Sequence, residues 1–285
     1  MVDVWLLNFD ADDELSRTGR RKAPVKALFA ALAQRVGPLL GEDHRLLGDP
    51  AAQPPGRGRA WMMTDTARAE LAAAGFAPVP SPPMKVLVEA NGRRFSSALG
   101  TGLPSATFAT SEDEALRAVS SPSPTGTWLL VREHAFAGRH RHRLEGTALS
   151  AELRTWMQTS FRSGEGIEIT PWMRRTKDFG LHGYLASDGA LTLGTPTEQL
   201  CDARGQWQST VRTEDLTSDE LHALTTAGTE TAEALRRIGY FGPFGIDAFR
   251  YEAHAGRSFC ARCEVNARYS MGWAVGMGNL RPDLA

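Results

Sequence analysis

Apolar and polar residues along the chain follow two periods, one typical of strands and one typical of helices. In the first third, short apolar runs alternate with segments of helical period, which favours a parallel α/β sheet. The sequence PVPSPP at 78–83 indicates a hinge between domains. The predicted strands of this part lie at 3–9, 44–48 and 59–64, and the predicted helices lie at 24–36 and 65–75.

The rest of the chain is richer in strands and predicts an α+β arrangement. Ser111 with Glu114, and Thr217 with Glu220, have the spacing of helix capping boxes, and Asp188-Gly189 between apolar runs indicates a hairpin. Further strands are predicted within 127–146, 166–173, 178–194, 242–251 and 258–268, and a further helix from 147. The proline-rich hinge at 78–83 is therefore the first candidate domain boundary.

Composition excludes several classes of protein. The chain has 285 residues and a formal net charge of -1, which argues against nucleic-acid binding through bulk electrostatics. It has no apolar run of about 18 residues, so no membrane span is expected. Its N-terminus turns acidic after a few apolar residues, unlike a signal peptide, and its three cysteines fit a reducing cytoplasm.

Two of the cysteines, Cys260 and Cys263, match the C-x-x-C pattern of some metal and redox sites. A zinc site would require a second ligand pair, and none has the usual spacing. Ordinary buried cysteines are therefore the preferred interpretation.

Polar residues interrupt the last two predicted strands. Asp247 lies in the first, and Glu264, Asn266 and Arg268 follow at alternate positions of the second. If the strands are antiparallel neighbours, the two carboxylates can share a face and repel each other. A Mg²⁺ ion would remove that conflict, since it prefers carboxylate and amide oxygens. The alternative is a polar sheet face towards solvent, with Arg268 paired to Glu264.

A basic, glycine-containing loop, AGRHRHR at 137–143, forms a second candidate site. Gly138 would let backbone amides approach an anion, and Arg139 and Arg141 would neutralise a phosphate. A solvated hairpin tip or a patch for an acidic partner are the alternatives. Arg132, at the end of the preceding strand, would reach into a cleft or point at water.

The order of these segments resembles the ATP-grasp superfamily. GPFGIDAF at 242–249 and CEVNARYSMG at 263–272 resemble its closing signature, an acidic residue on one strand and E-x-N-x-R on the next. The resemblance implies a Rossmann-like pre-ATP-grasp domain at 1–84, a small subdomain with a phosphate loop at 85–160 and a large subdomain with the Mg²⁺ and ATP site at 161–285. In that superfamily the two subdomains hold ATP between their sheets.

The resemblance also implies roles for individual residues. Asp247, Glu264 and Asn266 correspond to the Mg²⁺ ligands, and Arg268 corresponds to the arginine that faces the acyl phosphate or the substrate carboxylate. The loop at 137–143 corresponds to the phosphate-covering loop.

Four further positions are implied for the nucleotide. Arg132, and Arg94 or its neighbour Arg93, stand where the family has phosphate-contacting lysines. Glu168 corresponds to the acid that enters the adenine pocket, and Asp178 to the ribose-binding acid. Arginine keeps the charge of lysine but has a different geometry, so catalytic positioning is in question while ATP binding is retained in principle.

These residues together predict a cytoplasmic ligase that uses ATP and Mg²⁺ to join a small carboxylate to an amine through an acyl phosphate. A homodimer is the expected assembly, and neither nucleic acid nor membrane is an expected partner. Two alternatives stay open at this point: an ATP-binding protein without ligase activity, and a ligase that modifies a leader-bearing peptide.

Overall fold

The computed structural model describes residues 3–16, 26–40, 44–100, 102–135, 140–202, 207–253 and 256–284. The described segments form mixed helix and sheet, with three separate sheets. Among these residues, no helix has both the length and the apolar character that crossing a membrane requires.

The N-terminal part contains a four-stranded parallel sheet in the order β2-β1-β3-β4. Its elements are β1 (Asp3–Leu6), α1 (Asp12–Leu15), α2 (Lys26–Val36), a 3-10 turn (Gly37–Leu40), β2 (His44–Leu46), β3 (Arg57–Ala60), α3 (Asp65–Ala73) and β4 (Ala77–Pro78). The parallel α/β sheet expected from the sequence is therefore present.

Strand β3 starts and ends earlier than the apolar pattern predicts. It runs over 57–60 instead of 59–64, because Arg57 and Arg59 pair with an aspartate on the neighbouring strand. Asp3 of β1 accepts hydrogen bonds from the Nε atoms of Arg57 at 2.8 Å and Arg59 at 2.7 Å. Charge pairing across two strands thus replaces the apolar side chains that usually indicate a strand.

A second sheet is antiparallel, in the order β5-β8-β6-β7. Helices α4 and α5 precede it along the chain, and Ser111 accepts from the Glu114 amide at the start of α6, as the capping pattern predicts. The elements of this part are α4 (Met84–Ala90), α5 (Arg93–Ala98), β5 (Thr107–Ala109), α6 (Glu112–Ala118), β6 (Thr127–Arg132), β7 (Arg141–Glu145), α7 (Ala151–Arg162) and β8 (Ile167–Pro171). The boundary expected at residue 160 falls inside α7 and separates β8 from the sheet that it completes.

The third sheet has the order β12-β11-β9-β13-β14, and β10 also pairs with β9. Its elements are β9 (Arg174–Leu185), β10 (Leu191–Leu193), β11 (Thr197–Cys201), β12 (Trp207–Arg212), α8 (Ser218–Arg237), β13 (Gly242–Ala253), β14 (Gly256–Asn266), α9 (Trp273–Met277) and a 3-10 turn (Pro282–Leu284). Thr217 and Glu220 form the predicted capping box of α8, and Gly189, with a φ of 92°, supplies the turn between β9 and β10.

Helix α8 packs its apolar face on the third sheet, with Leu224 and Leu235 fully buried. Strands β13 and β14 pair antiparallel, and Asp247 lies directly opposite Glu264. The pairing then slips, so that Phe249 lies opposite Cys260. A bulge of this kind redirects side chains next to it, and here it lies beside the predicted metal ligands.

Candidate active site

A cleft with a volume of about 180 Å³ opens between the second and third sheets. Strands β6 and β8 form one wall, and β13 and β14 contribute to the other. The charged side chains that line it are Arg93, Arg141, Glu168, Arg175 and Glu264. Three arginines and two carboxylates in one cleft suit a ligand that carries both negative and hydrogen-bonding groups.

The predicted metal ligands lie on the paired strands β13 and β14, and Glu264 is the one that lines the cleft. Asp247 accepts hydrogen bonds from Asn266 Nδ2 at 3.0 Å and from Gln199 Nε2 at 2.8 Å. Asn266 Oδ1 in turn accepts from Arg268, while Arg93 Nη2 lies 3.1 Å from Glu264 Oε2. The structure therefore joins Asp247, Asn266 and Arg268 through hydrogen bonds. Glu264 lies directly opposite Asp247 on the paired strand and is held by Arg93.

The carboxylate of Asp247 is buried and faces a second carboxylate, that of Glu264. Burial, together with the facing carboxylate of Glu264, raises the pKa of Asp247 from 3.8 to about 6, although hydrogen bonds from Gln199 and Asn266 oppose the rise. A cation placed beside Asp247 would stabilise its ionised form and offset the repulsion from the facing carboxylate.

The chemistry of the donors fits a divalent cation. No three histidine, cysteine, aspartate or glutamate side chains gather into a metal-binding group within the described part of the chain. The set at Asp247, Glu264 and Asn266 instead has two carboxylates and one amide oxygen, a composition that Mg²⁺ accepts while retaining positions for phosphate or water.

Arg93, at the start of α5, bridges carboxylates from the two walls of the cleft. Its Nη1 donates to Glu168 Oε2 at 2.8 Å, and its Nη2 pairs with Glu264. Burial alone would lower the pKa of Arg93, but Glu264 and Glu168 raise it above its ordinary value. Arg94, the other possibility in the sequence, is exposed and lies 3.5 Å from Glu133. Arg93, and not Arg94, is therefore the arginine that lines the cleft.

Arg132 is not placed with the other candidate residues. Its Nη2 donates to the Trp156 carbonyl of α7 at 3.1 Å, and its guanidinium lies 4.9 Å from the centroid of that indole ring. The cleft is lined by Leu129 and Val131 of the same strand, whose side chains project from the opposite face. The interpretation of Arg132 as a phosphate contact and catalytic residue is corrected accordingly: in this geometry it packs on α7.

Glu168 lines the cleft. It is buried on β8, where it accepts from Arg93 and from Ser97 Oγ at 2.9 Å. Asp178 lies farther out, with its carboxylate 3.0 Å from Arg175 Nη1, and it is not among the residues that line the cleft. Arg175, which sequence reasoning missed, lines the cleft and packs 4.0 Å above the ring of Phe249.

The basic loop is only partly described. Gly138 and Arg139 lie outside the described residues. Arg141, at the start of β7, is exposed and lines the cleft. Two residues later, the guanidinium of Arg143 lies 3.6 Å from the ring centroid of Trp172, itself a lining residue. The described end of the loop thus presents positive charge at the cleft.

Arg268 joins the metal-ligand group to the N-terminal part of the chain. Besides donating to Asn266, it lies 3.1 Å from Asp12 Oδ2, which belongs to the acidic segment after β1. Burial raises the pKa of Asp12 above its ordinary value, and Arg268 opposes the rise. Asp12 and Gln199 escaped sequence analysis as partners because their contacts depend on pairings between distant segments.

Comparison with solved structures places this architecture in a known class. N5-carboxyaminoimidazole ribonucleotide synthetase, solved with ADP, aligns with 94% of this chain and 71% of its own at a TM-score of 0.54 and 10% identity. D-alanyl-alanine synthetase A from Vibrio cholerae aligns with 93% of this chain and 88% of its own at 0.54 and 13%. Pyruvate carboxylase from Rhizobium etli aligns with 74% of this chain at 0.55 and 14%.

These solved neighbours are ATP-grasp enzymes, and the chain therefore has the ATP-grasp fold, which confirms at the level of the fold the resemblance drawn from its motifs. The chain spans only 18% of the length of the pyruvate carboxylase. No protein-family model matches the chain, and no curated protein matches it in sequence.

Proposed function

We propose that this protein is an ATP- and Mg²⁺-dependent ligase that joins a carboxylate to an amine through an acyl phosphate. The observation that carries the proposal is the juxtaposition of Asp247, Asn266 and Glu264 on paired strands, with Glu264 lining an arginine-rich cleft between two sheets. The shared ATP-grasp fold supports it, because ATP lies between the corresponding sheets of that superfamily.

In this proposal Asp247, Glu264 and Asn266 would hold Mg²⁺, which would supply positive charge to neutralise the phosphate oxygens. Arg93 and Arg141 neutralise the remaining phosphate charge from the walls of the cleft. Base recognition falls to Glu168 and its strand. Stabilisation of charge by preorganised groups in a dry cleft is the main contribution such a site makes.

The reaction has two transfers. A carboxylate oxygen attacks the γ-phosphorus of ATP, ADP leaves, and an acyl phosphate forms. The amine nitrogen then attacks the acyl carbon, phosphate leaves, and the nitrogen loses a proton as the amide forms. Arg268, which is held by Asp12, is positioned at the ligand group to orient the carboxylate and the acyl phosphate.

The side of the proposed site that would bind the carboxylate and the amine faces the N-terminal part of the chain, where Arg268 meets Asp12. That part corresponds, in this proposal, to a Rossmann-like pre-ATP-grasp domain, and small carboxylates and amines are the proposed substrates. The proposed setting is a homodimer in the cytoplasm.

A second candidate function is ATP binding without ligation. The position of Arg132 favours it, since the residue that stands for a family lysine packs against Trp156 and not in the cleft. A protein of this kind would bind ATP tightly and release no ADP.

The two candidates are separated by measuring ADP release by the purified protein with pools of amino acids and small carboxylates. We expect turnover that Glu264→Gln and Asn266→Ala each reduce at least about 100-fold, while each variant still unfolds in a single cooperative transition. Glu252→Gln is the matched control, because Glu252 lies on β13 but pairs with Arg174 at the exposed end. Tight ATP binding without turnover would favour the second candidate, and full turnover in both variants would show that the metal assignment is wrong.

A further inference from the structure

Strand β8 directs its backbone groups alternately towards its two neighbours. The Trp172 amide donates to the Thr127 carbonyl at 2.9 Å, and Trp128 of β6 lies opposite Pro171. Successive residues of an antiparallel strand point their N–H and C=O groups in opposite directions. The backbone of Pro171 is therefore directed away from β6, towards the other edge of β8.

Among the described residues, no strand pairs with that other edge at Pro171. Strand β5 pairs with β8 up to Ile169, which lies opposite Thr107, the first residue of β5. In a continued register Ser105 would face Pro171, but Ser105 has a left-handed φ of 60°, so the chain turns away there. Pro171 accordingly lines the cleft.

Any other residue at this position would present an amide N–H to the cleft. Proline has none and offers only its carbonyl oxygen. An adenine base presents an acceptor, N1, beside a donor, the 6-amino group, and a strand edge with both a donor and an acceptor would match both. Pro171 lacks the N–H donor that would match the acceptor N1.

Resting on the proposed ATP site, we infer that Pro171 is a specificity-determining residue, which leaves N1 of the bound purine without a main-chain hydrogen bond. The base is then read by the side chains on the cleft face of β8. Glu168 and Thr170 lie two residues apart on that face, and both line the cleft. Discrimination at the N1 position is consequently weak.

The test uses isothermal titration of ATP and of 1-deaza-ATP, in which a C–H group replaces N1. We expect the wild-type protein to bind the two within about twofold. Pro171→Ala restores an N–H, so it should bind ATP about fivefold more tightly than the wild type and leave 1-deaza-ATP unchanged. Pro124→Ala, in an exposed turn before β6, is the matched control and should alter neither affinity.

Several outcomes would overturn the inference. A wild-type preference of about tenfold for ATP over 1-deaza-ATP would show that another donor, such as the Met173 amide, reads N1. Equal gains of Pro171→Ala for both nucleotides would show that shape, and not the amide, is decisive. Either result leaves the proposed function intact, whereas failure of the wild-type protein to bind either nucleotide would overturn the proposed function and this inference with it. If Pro171→Ala does not fold, the wild-type comparison decides alone.

Discussion

Replacing Asp247 with asparagine should make the metal-free protein more stable and abolish its turnover. The ionised carboxylate is destabilised by burial and by Glu264, and its pKa rises from 3.8 to about 6. A rise of this size corresponds to about 3 kcal/mol in the free energy of unfolding. Asparagine keeps one acceptor oxygen for the two donors Gln199 and Asn266, and the lost hydrogen bond costs about 1 kcal/mol. The expected net gain is therefore about 2 kcal/mol.

The sign of the pH dependence follows from the direction of the pKa change. Between pH 3.8 and about 6, the folded protein binds more protons at Asp247 than the unfolded chain does. Stability contributed by this group therefore falls as the pH rises through that interval. The advantage of Asp247→Asn should be complete above about pH 6 and absent below about pH 4.

Urea unfolding measures this difference, and the seven tryptophans of the chain provide a fluorescence signal. Wild type and variant are compared at about pH 8 and about pH 4.5, without added divalent cation. Asp188→Asn, in the exposed turn between β9 and β10, is the control for the same chemical change outside the cleft. Two results would refute charge repulsion at Asp247. The variant could be no more stable than the wild type at about pH 8, or its free energy of unfolding could differ from that of the wild type by the same amount at both pH values.

Two further predictions concern the arginines. Arg141→Ala should weaken ATP binding about tenfold and adenosine binding little, because Arg141 lines the cleft as a cation for phosphate; equal losses in calorimetry would remove its phosphate role. Arg132→Met should lower the free energy of unfolding by about 1 kcal/mol through lost contacts with Trp156, while ATP affinity stays within about twofold. A large loss of ATP affinity in Arg132→Met would restore it to the nucleotide site.

Local sequence signals predicted much of the fold. The capping pairs Ser111–Glu114 and Thr217–Glu220 start helices where expected, because a cap depends only on residues three apart. Strand β3 was misplaced because Arg57 and Arg59 are neutralised by Asp3, a residue more than fifty positions away. Periodicity contains no information about such partners.

In the candidate site too, residues defined by local spacing could be predicted, and orientations set by packing could not. The E-x-N-x-R spacing is local, so Glu264, Asn266 and Arg268 could be found from the sequence. Whether Arg93 or Arg94 faces the cleft depends on the rotation of α5, which sets which of two adjacent helical residues meets Glu168. The side to which Arg132 points depends likewise on the orientation of β6. Neither orientation is encoded in a short motif.

The same contacts indicate what a cation must displace in order to bind. Each candidate ligand is already engaged by a donor: Asp247 by Gln199 and Asn266, Glu264 by Arg93, and Asn266 by Arg268. A cation at Glu264 therefore competes with the guanidinium of Arg93, whose other partner is Glu168. Once displaced from Glu264, that guanidinium needs a new anion, and a triphosphate in the cleft supplies one. Cation and nucleotide are thus expected to bind more tightly together than either does alone.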